Sequence, residues 1–185
     1  MRIIGIDPGT IITGIGIIEC KGNDVKPVYY GTISLKPKTP LPERLKTIYD
    51  KCSENISRYR PDQFAIETAF YSKNIQSTLK LGQARGVAII SAVNREIPVS
   101  EYSPREVKKS VTGNGASSKE QVRFMVKRIL DIIEDPEQID STDALAVALC
   151  HYHNTLSFMN GSGKSKKYNW KKFIEENPEK VISNK

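Results

Sequence analysis

Two isoleucine-dense runs near the start of the chain constrain its fold more than anything that follows. Residues 2–7 (RIIGID) read as a buried strand, and residues 13–20 (TGIGIIEC) as a second strand. Between them Asp7-Pro8-Gly9 forces a turn. A third β-rich run covers residues 27–35 (PVYYGTISL). Connections this short suit an antiparallel meander of three strands.

From residue 42 the period changes. Leu45, Ile48, Cys52, Ile56 and Tyr59 recur at three- and four-residue spacing, which predicts an amphipathic helix over 42–59 that Pro61 ends. Residues 63–67 (QFAIE) follow as a short strand. Residues 75–94 read as a helix with Leu79, Gln83, Gly86 and Ile90 along one side, and 97–100 as a brief strand. Ser103-Pro104-Arg105-Glu106 is a capping box with proline at the first helical position. Ser117-Ser118-Lys119-Glu120 reads as a second box, opening a helix with the stripe Val122, Met125, Ile129 and Ile132 or Ile133. A last helix starts near Asp140 and reaches about Leu156. Three antiparallel strands followed by strands alternating with helices predict a mixed α/β sheet with helices on its faces. Residues 1–156 form the expected domain. Residues 157–185, polar, Gly-containing and Lys-rich, are expected to be a flexible basic tail.

The net charge is +7, and its distribution is uneven. Residues 105–128 hold seven basic and two acidic side chains, and residues 154–185 hold seven lysines against three glutamates. A polyanion partner fits this pattern, as does a merely solvated basic face. Cys20, Cys52 and Cys150 have neither zinc-ligand nor disulfide-framework spacing and read as reduced thiols. No run approaches the roughly 20 apolar residues of a membrane span. A cytoplasmic protein is expected.

Four acids stand where an α/β protein places its chemistry. Asp7 and Glu67 end the first and fourth strands, and Asp140 and Asp143 share the first turn of the last helix. Each has a structural reading: Asp7 as a turn former, Asp140 as an N-cap, Asp143 as a helix-dipole partner. Glu67 is harder to dismiss, because a carboxylate on a short apolar strand is costly unless paired or ligating. If strands one and four are neighbours, the four can converge. At ~4 Å and an effective dielectric near 20, each like-charge pair then costs about 4 kcal/mol, which hard divalent cations would offset. Two such ions would also serve phosphodiester hydrolysis.

Two other signals fail. GSGKS at 161–165 lacks the earlier glycine and the preceding strand of a phosphate loop. His151 and His153 lack a third ligand at sensible spacing and read as packed or solvated.

Three segments, IIGIDPGTIITGIGII, FAIETAFYSKNIQSTLKLGQARGVAII and IDSTDALAVALCHYH, together with SPREVKKSVTGNGASSKEQV, resemble the RuvC Holliday-junction resolvases of the RNase H-like superfamily over about residues 1–155. The block LKLGQARGVA is highly characteristic; IDPGT alone also opens ATPases of the sugar-kinase and actin type. The resemblance implies an RNase H-like mixed five-stranded sheet flanked by helices on both faces. It implies a metal-binding catalytic tetrad of Asp7, Glu67, Asp140 and Asp143, holding two Mg²⁺ with Mn²⁺ as an alternative. Phe70 matches an aromatic that stacks on a base near the junction centre, and Lys108 and Lys119 match basic residues near the scissile phosphate. Lys109 and Arg105 are further DNA-contact candidates on the same basic segment. Four-way junction DNA, a homodimer in which 75–94 takes part, and a branch-migration complex are the implied partners.

Rival readings are an actin-like ATPase, for which the chain is short, an inactive binding module, and a nuclease for other branched DNA.

Overall fold

The computed structural model describes residues 1–68, 74–133 and 139–159, with side chains in the last stretch from 141 to 156. Five strands form one sheet: β1 (Arg2–Asp7), β2 (Ile12–Lys21), β3 (Asp24–Ser34), β4 (Gln63–Glu67) and β5 (Val99–Tyr102). Their order is β3-β2-β1-β4-β5. The first three strands pair antiparallel as a meander, and β4 joins β1, and β5 joins β4, in parallel. The expected mixed α/β sheet is present, and β1 and β4 are neighbours. β5 runs two residues later than the sequence suggests. The Ile97 N–H still bonds back to Ala92 O at the end of the preceding helix, so the strand cannot start there.

Strand periodicity divides the core in two. Ile4, Ile6, Phe64 and Ile66 face α1 (Leu41–Tyr59) and α2 (Ile75–Val93), meeting Ile48, Cys52, Ile56, Ala84, Ala88 and Ala92. Ile3, Ile18 and Ala65 face α5 (Ile139–Met159) on the other side. α3 (Pro104–Thr112) and α4 (Lys119–Ile129) lie against α5 in turn. A helix covered on both sides has no use for a polar face. From residue 141 to 153 every side chain of α5 is buried except Asp143, which is only partly so.

Two glycines let α5 sit low on the sheet. Gly5 and Gly16 are cross-strand partners in β1 and β2. A Cβ on Gly5 would stand 2.2 Å from Ala144 O, and one on Gly16 would stand 2.6 Å from Leu145 N. A side chain at either position would lift α5 away. Isolated glycines inside apolar strands signal such close backbone approach.

Two details differ from the sequence reading, and one that the sequence left open, the packed side of α2, is seen directly. The side of α2 carrying Leu79 and Ile90 faces outward, while its packed side is Ala84, Ala88, Ser91 and Ala92. Small residues win that side because α2 lies close to the sheet and α1. Ser118, not Ser117, caps α4, and Gln121, not Glu120, closes the box; the Ser117 hydroxyl is buried against Thr112 instead. α4 ends at Ile129, followed by Leu130 and a left-handed Asp131 (φ 50°). Ile132 therefore turns back to the core and Ile133 is 95% exposed.

The backbone of α5 continues to Met159, past the expected Leu156. The expected basic tail otherwise lies outside the described residues. No helix among the described residues is long and apolar enough to cross a membrane.

Candidate active site

Asp7 and Glu67 end adjacent parallel strands. Asp7 shares the parity of Ile3 and Gly5, and Glu67 that of Ala65, so both carboxyls emerge on the α5 face. The low seat of α5 on Gly5 and Gly16 brings its first turn to the same end of β1. Asp143 then comes within electrostatic reach of Glu67. Three elements distant in sequence thus deliver three acids to one place.

The cost of that meeting is visible at Glu67. Burial first, then the Asp7 charge, a hydrogen bond with Asp7 and the Asp143 charge push its carboxyl up to about 8, against a smaller opposing pull from Lys119. A hydrogen bond between two carboxyl groups needs a proton between them. Glu67 is therefore the group that holds a proton at neutral pH while no other positive charge enters the cluster. Among the described residues no three His, Cys, Asp or Glu side chains already form a cage around one point; Asp7 and Glu67 turn to each other instead. The donor set is all carboxylate oxygen, the chemistry a hard cation such as Mg²⁺ takes, and a divalent charge there would relieve the repulsion that raises Glu67. The residues fit such an ion.

Asp143 also accepts a hydrogen bond from Lys119 Nζ at 3.1 Å, with Lys119 the more exposed partner. Lys119 is the first residue of α4, so this cation comes from beside the helix's N-terminal end. Of the basic residues expected at the site, Lys119 reaches the carboxylates. Lys108, half-buried on α3, lies near enough to Glu120 to help hold its carboxyl low. Lys109 is exposed on α3, and the Arg105 stem lies beside Gly115 in the α3–α4 connection. Asp140 stands in the first turn of α5, three residues before Asp143, with its side chain outside the described residues. Phe70 lies outside the described residues altogether.

The histidines are packed, as one sequence reading had it. His151 Nδ1 meets Tyr102 OH at 2.8 Å and His153 Nδ1 meets Ser110 Oγ at 2.9 Å. Both are buried.

Two supports escaped the sequence reading. Buried Arg44, on the first turn of α1, donates Nη1 to Thr10 O at 2.8 Å. Thr13 Oγ1 donates to Gly9 O at 2.7 Å and accepts from Gly9 N at 3.2 Å. Together they clamp the connection that follows Asp7. The alternation of Thr13 with isoleucines hinted at an inward hydroxyl, but nothing local links Arg44 to Thr10. The second support is the polar cluster within residues 112–118, whose only sequence signal was a run of turn-forming residues.

A mixed sheet in this order, with acids at the ends of β1 and β4 and on a helix laid across β1, is the architecture of the RNase H-like class, and the comparisons with known proteins say which family within it this chain belongs to. The family profile described as crossover junction endodeoxyribonuclease RuvC matches residues 3–151. A RuvC from Cytophaga hutchinsonii is 45% identical over 179 residues, covering 97% of this chain and 87% of that protein. One from Chloroherpeton thalassium is 44% identical over 185 residues, covering 98% and 100%. The solved structure of T. thermophilus RuvC in complex with Holliday junction substrate superimposes with a TM-score of 0.79 at 33% identity, covering 84% of this chain and 94% of that one. The chain belongs to the RuvC family of crossover junction endodeoxyribonucleases.

Proposed function

We propose that the chain resolves four-way DNA junctions by paired symmetric nicks, hydrolysing phosphodiester bonds at two Mg²⁺ ions held by Asp7, Glu67, Asp140 and Asp143. The observation that carries this reading is the meeting of Asp7, Glu67 and Asp143 from β1, β4 and α5, in a chain of the RuvC family. Mn²⁺ is the natural alternative ion, since it accepts the same oxygen donors.

Bound ions would supply a water of lowered pKa and charge neutralisation at the leaving oxygen. The chain's residues do the rest. Glu67 would hold an ion as a carboxylate, and its raised pKa means that it would shed its proton readily only once positive charge is beside it. Asp7, hydrogen-bonded to Glu67, gains the same relief. Lys119, at the edge of the acids, offers a cation to a phosphate that four carboxylates would otherwise repel, and α4 adds the positive end of its dipole. Arg105, Lys108 and Lys109 extend the basic surface along α3 for the arms of the junction. Phe70, three residues beyond Glu67, stacks on a base near the crossover in this reading. No protein nucleophile is required, because water attacks directly.

Two symmetric nicks require two sites. The outward side of α2 carries Ile75, Leu79, Ile90 and Val93, all exposed, and among the described residues a Cβ on Gly82 or Gly86 would meet nothing within 4 Å. Small residues with open space beside them, set among exposed apolar ones, support α2 as the homodimer face. A cytoplasmic location and a branch-migration complex as a further partner complete the proposal.

The test is a panel of labelled DNAs, comprising a mobile four-way junction, a flap, a mismatch duplex and a linear duplex, each with Mg²⁺. Nicks at symmetry-related positions in the four-way junction, with ends that ligase reseals, support the proposal. Cutting of flaps or mismatches in preference to the junction contradicts it.

A further inference from the structure

The connection between α3 and α4 is built more rigidly than a surface link requires. Thr112, the last residue of α3, stands at its centre. Its Oγ1 meets Lys108 O at 2.8 Å, Asn114 O at 2.9 Å and Ser117 Oγ at 2.8 Å, and accepts from the Asn114 N–H at 3.2 Å. Asn114 Oδ1 takes the Ala116 N–H at 3.0 Å, and Asn114 O takes the Ser117 N–H at 3.3 Å. Ser117 is buried. Gly115 lies so close to the Arg105 stem that a Cβ there would stand 2.6 Å from its Cγ.

Both helix ends are already provided for. Gly113 closes α3 in the left-handed conformation (φ 79°), and Ser118 with Gln121 caps α4. The Thr112–Ser117 contact is additional to those caps. It fixes the backbone immediately before Lys119, whose Nζ reaches Asp143 Oδ2. Ion pairing holds a largely exposed lysine only weakly, because fixing its four-carbon stem costs entropy that solvent-screened attraction barely offsets. Its placement therefore depends strongly on where its Cα is set.

We propose that the hydroxyl hub of Thr112, Asn114 and Ser117 is a positioning device for the nuclease step. It sets the start of α4 so that Lys119 stands over the carboxylates, and it rests on the nuclease reading above. The contacts of Thr112 and Ser117 described above all lie within α3 and the connection. They act through Lys119.

The experiment compares wild type with Thr112→Val, which keeps shape and loses the hydroxyl, and with Thr112→Ser, Lys119→Ala and the double variant Thr112→Val/Lys119→Ala. Three quantities are read: the single-turnover rate on a saturating four-way junction, junction affinity, and hydrogen exchange of the amides at 114–119. The expected result is a rate about tenfold lower for Thr112→Val with affinity within about twofold. Amide exchange at Ala116 and Ser117, whose N–H groups the hub bonds, becomes faster, Thr112→Ser restores both properties, and Thr112→Val causes no further loss of rate on the Lys119→Ala background. A wild-type rate in Thr112→Val, losses that multiply in the double variant, or unchanged exchange at Ala116 and Ser117 would each overturn the proposal. If wild type itself fails to cut, the nuclease reading fails, and the exchange comparison still decides the hub. Should Thr112→Val fail to fold, Ser117→Ala removes the other hydroxyl and takes its place throughout.

Discussion

Ala144 in α5 turns its carbonyl oxygen onto Gly5 of β1 so closely that a methyl group on Gly5 would stand 2.2 Å from it. The same approach carries Asp143, one residue earlier, to where its charge is felt by Glu67. Gly5→Ala must therefore shift backbone rather than a flexible side chain. Overpacking of this kind costs about 1–3 kcal/mol, with backbone contact toward the upper end, a fall of roughly 2–4 °C in Tm per kcal/mol for a chain this size. The variant should lose nuclease rate beyond what its folded fraction explains. Differential scanning calorimetry with a single-turnover assay below the lowered Tm checks both parts; an unchanged Tm would contradict the account of the glycine pair.

Glu67 ties stability to pH in an unusual direction. Its carboxyl, ordinarily near 4.5, is pushed up to about 8 in the fold. The unfolded chain thus loses this proton first, and protonated Glu67 is compatible with the fold at low pH. The penalty begins above about 4.5 and grows until the folded carboxyl ionises near 8. In chelator, wild type should lose stability relative to Glu67→Gln as the pH rises from about 5 to 8, and Mg²⁺ should restore it in wild type alone. Parallel Tm profiles for the two proteins, with and without Mg²⁺, would sink this prediction.

Acid acts through the other face of α5. Burial pushes His153 down to about 4 from 6.5, and burial lowers His151 as well. A histidine whose folded pKa is depressed binds its proton more readily when unfolded. The stability tied to neutral His153 is therefore complete above about 6.5 and is lost as the pH falls toward 4, on the order of 3 kcal/mol over that span. His153→Gln should flatten the decline between pH 6.5 and 4.5 in urea unfolding. An equally steep decline in the variant would show that other groups carry it.

Much of this was legible in the chain. The runs RIIGID and TGIGIIEC gave β1 and β2 because apolar β-branched residues bounded by turns leave few alternatives, and the Ser103 box opened α3 as read. Glu67 betrayed itself as a carboxylate on an otherwise apolar strand. What stayed hidden depended on partners far away. Ser117 and Ser118 offer equivalent caps locally, and only Thr112 decides which hydroxyl turns inward. α2 shows apolar residues on one side and alanines on another; the sheet and α1 select the alanines. Arg44 reads as a surface residue until Thr10 O is placed beside it.

The outward stripe of α2 yields a prediction about assembly. Leu79 is 57% exposed, so Leu79→Asp should leave the monomer's stability within about 0.5 kcal/mol of wild type. The same change places a charge in the proposed dimer face. Sedimentation should show a dimer for wild type and a monomer for Leu79→Asp, and the variant should nick junction strands singly rather than in pairs. A wild-type monomer, or a variant that remains dimeric, would remove α2 from the interface.

If the acids meeting at the end of β1 hold the ions that cut DNA, Asp7→Asn separates binding from cleavage. Wild type and Asp7→Asn are incubated with the same four-way junction and Mg²⁺, and both properties are measured on the same samples. Wild type should make paired symmetric nicks, and Asp7→Asn should bind with at least wild-type strength while cutting at least roughly a hundredfold more slowly, since the variant removes a charge that repels phosphate and a ligand for the metal. Cleavage by Asp7→Asn at a rate near that of wild type would rule out a metal role for Asp7.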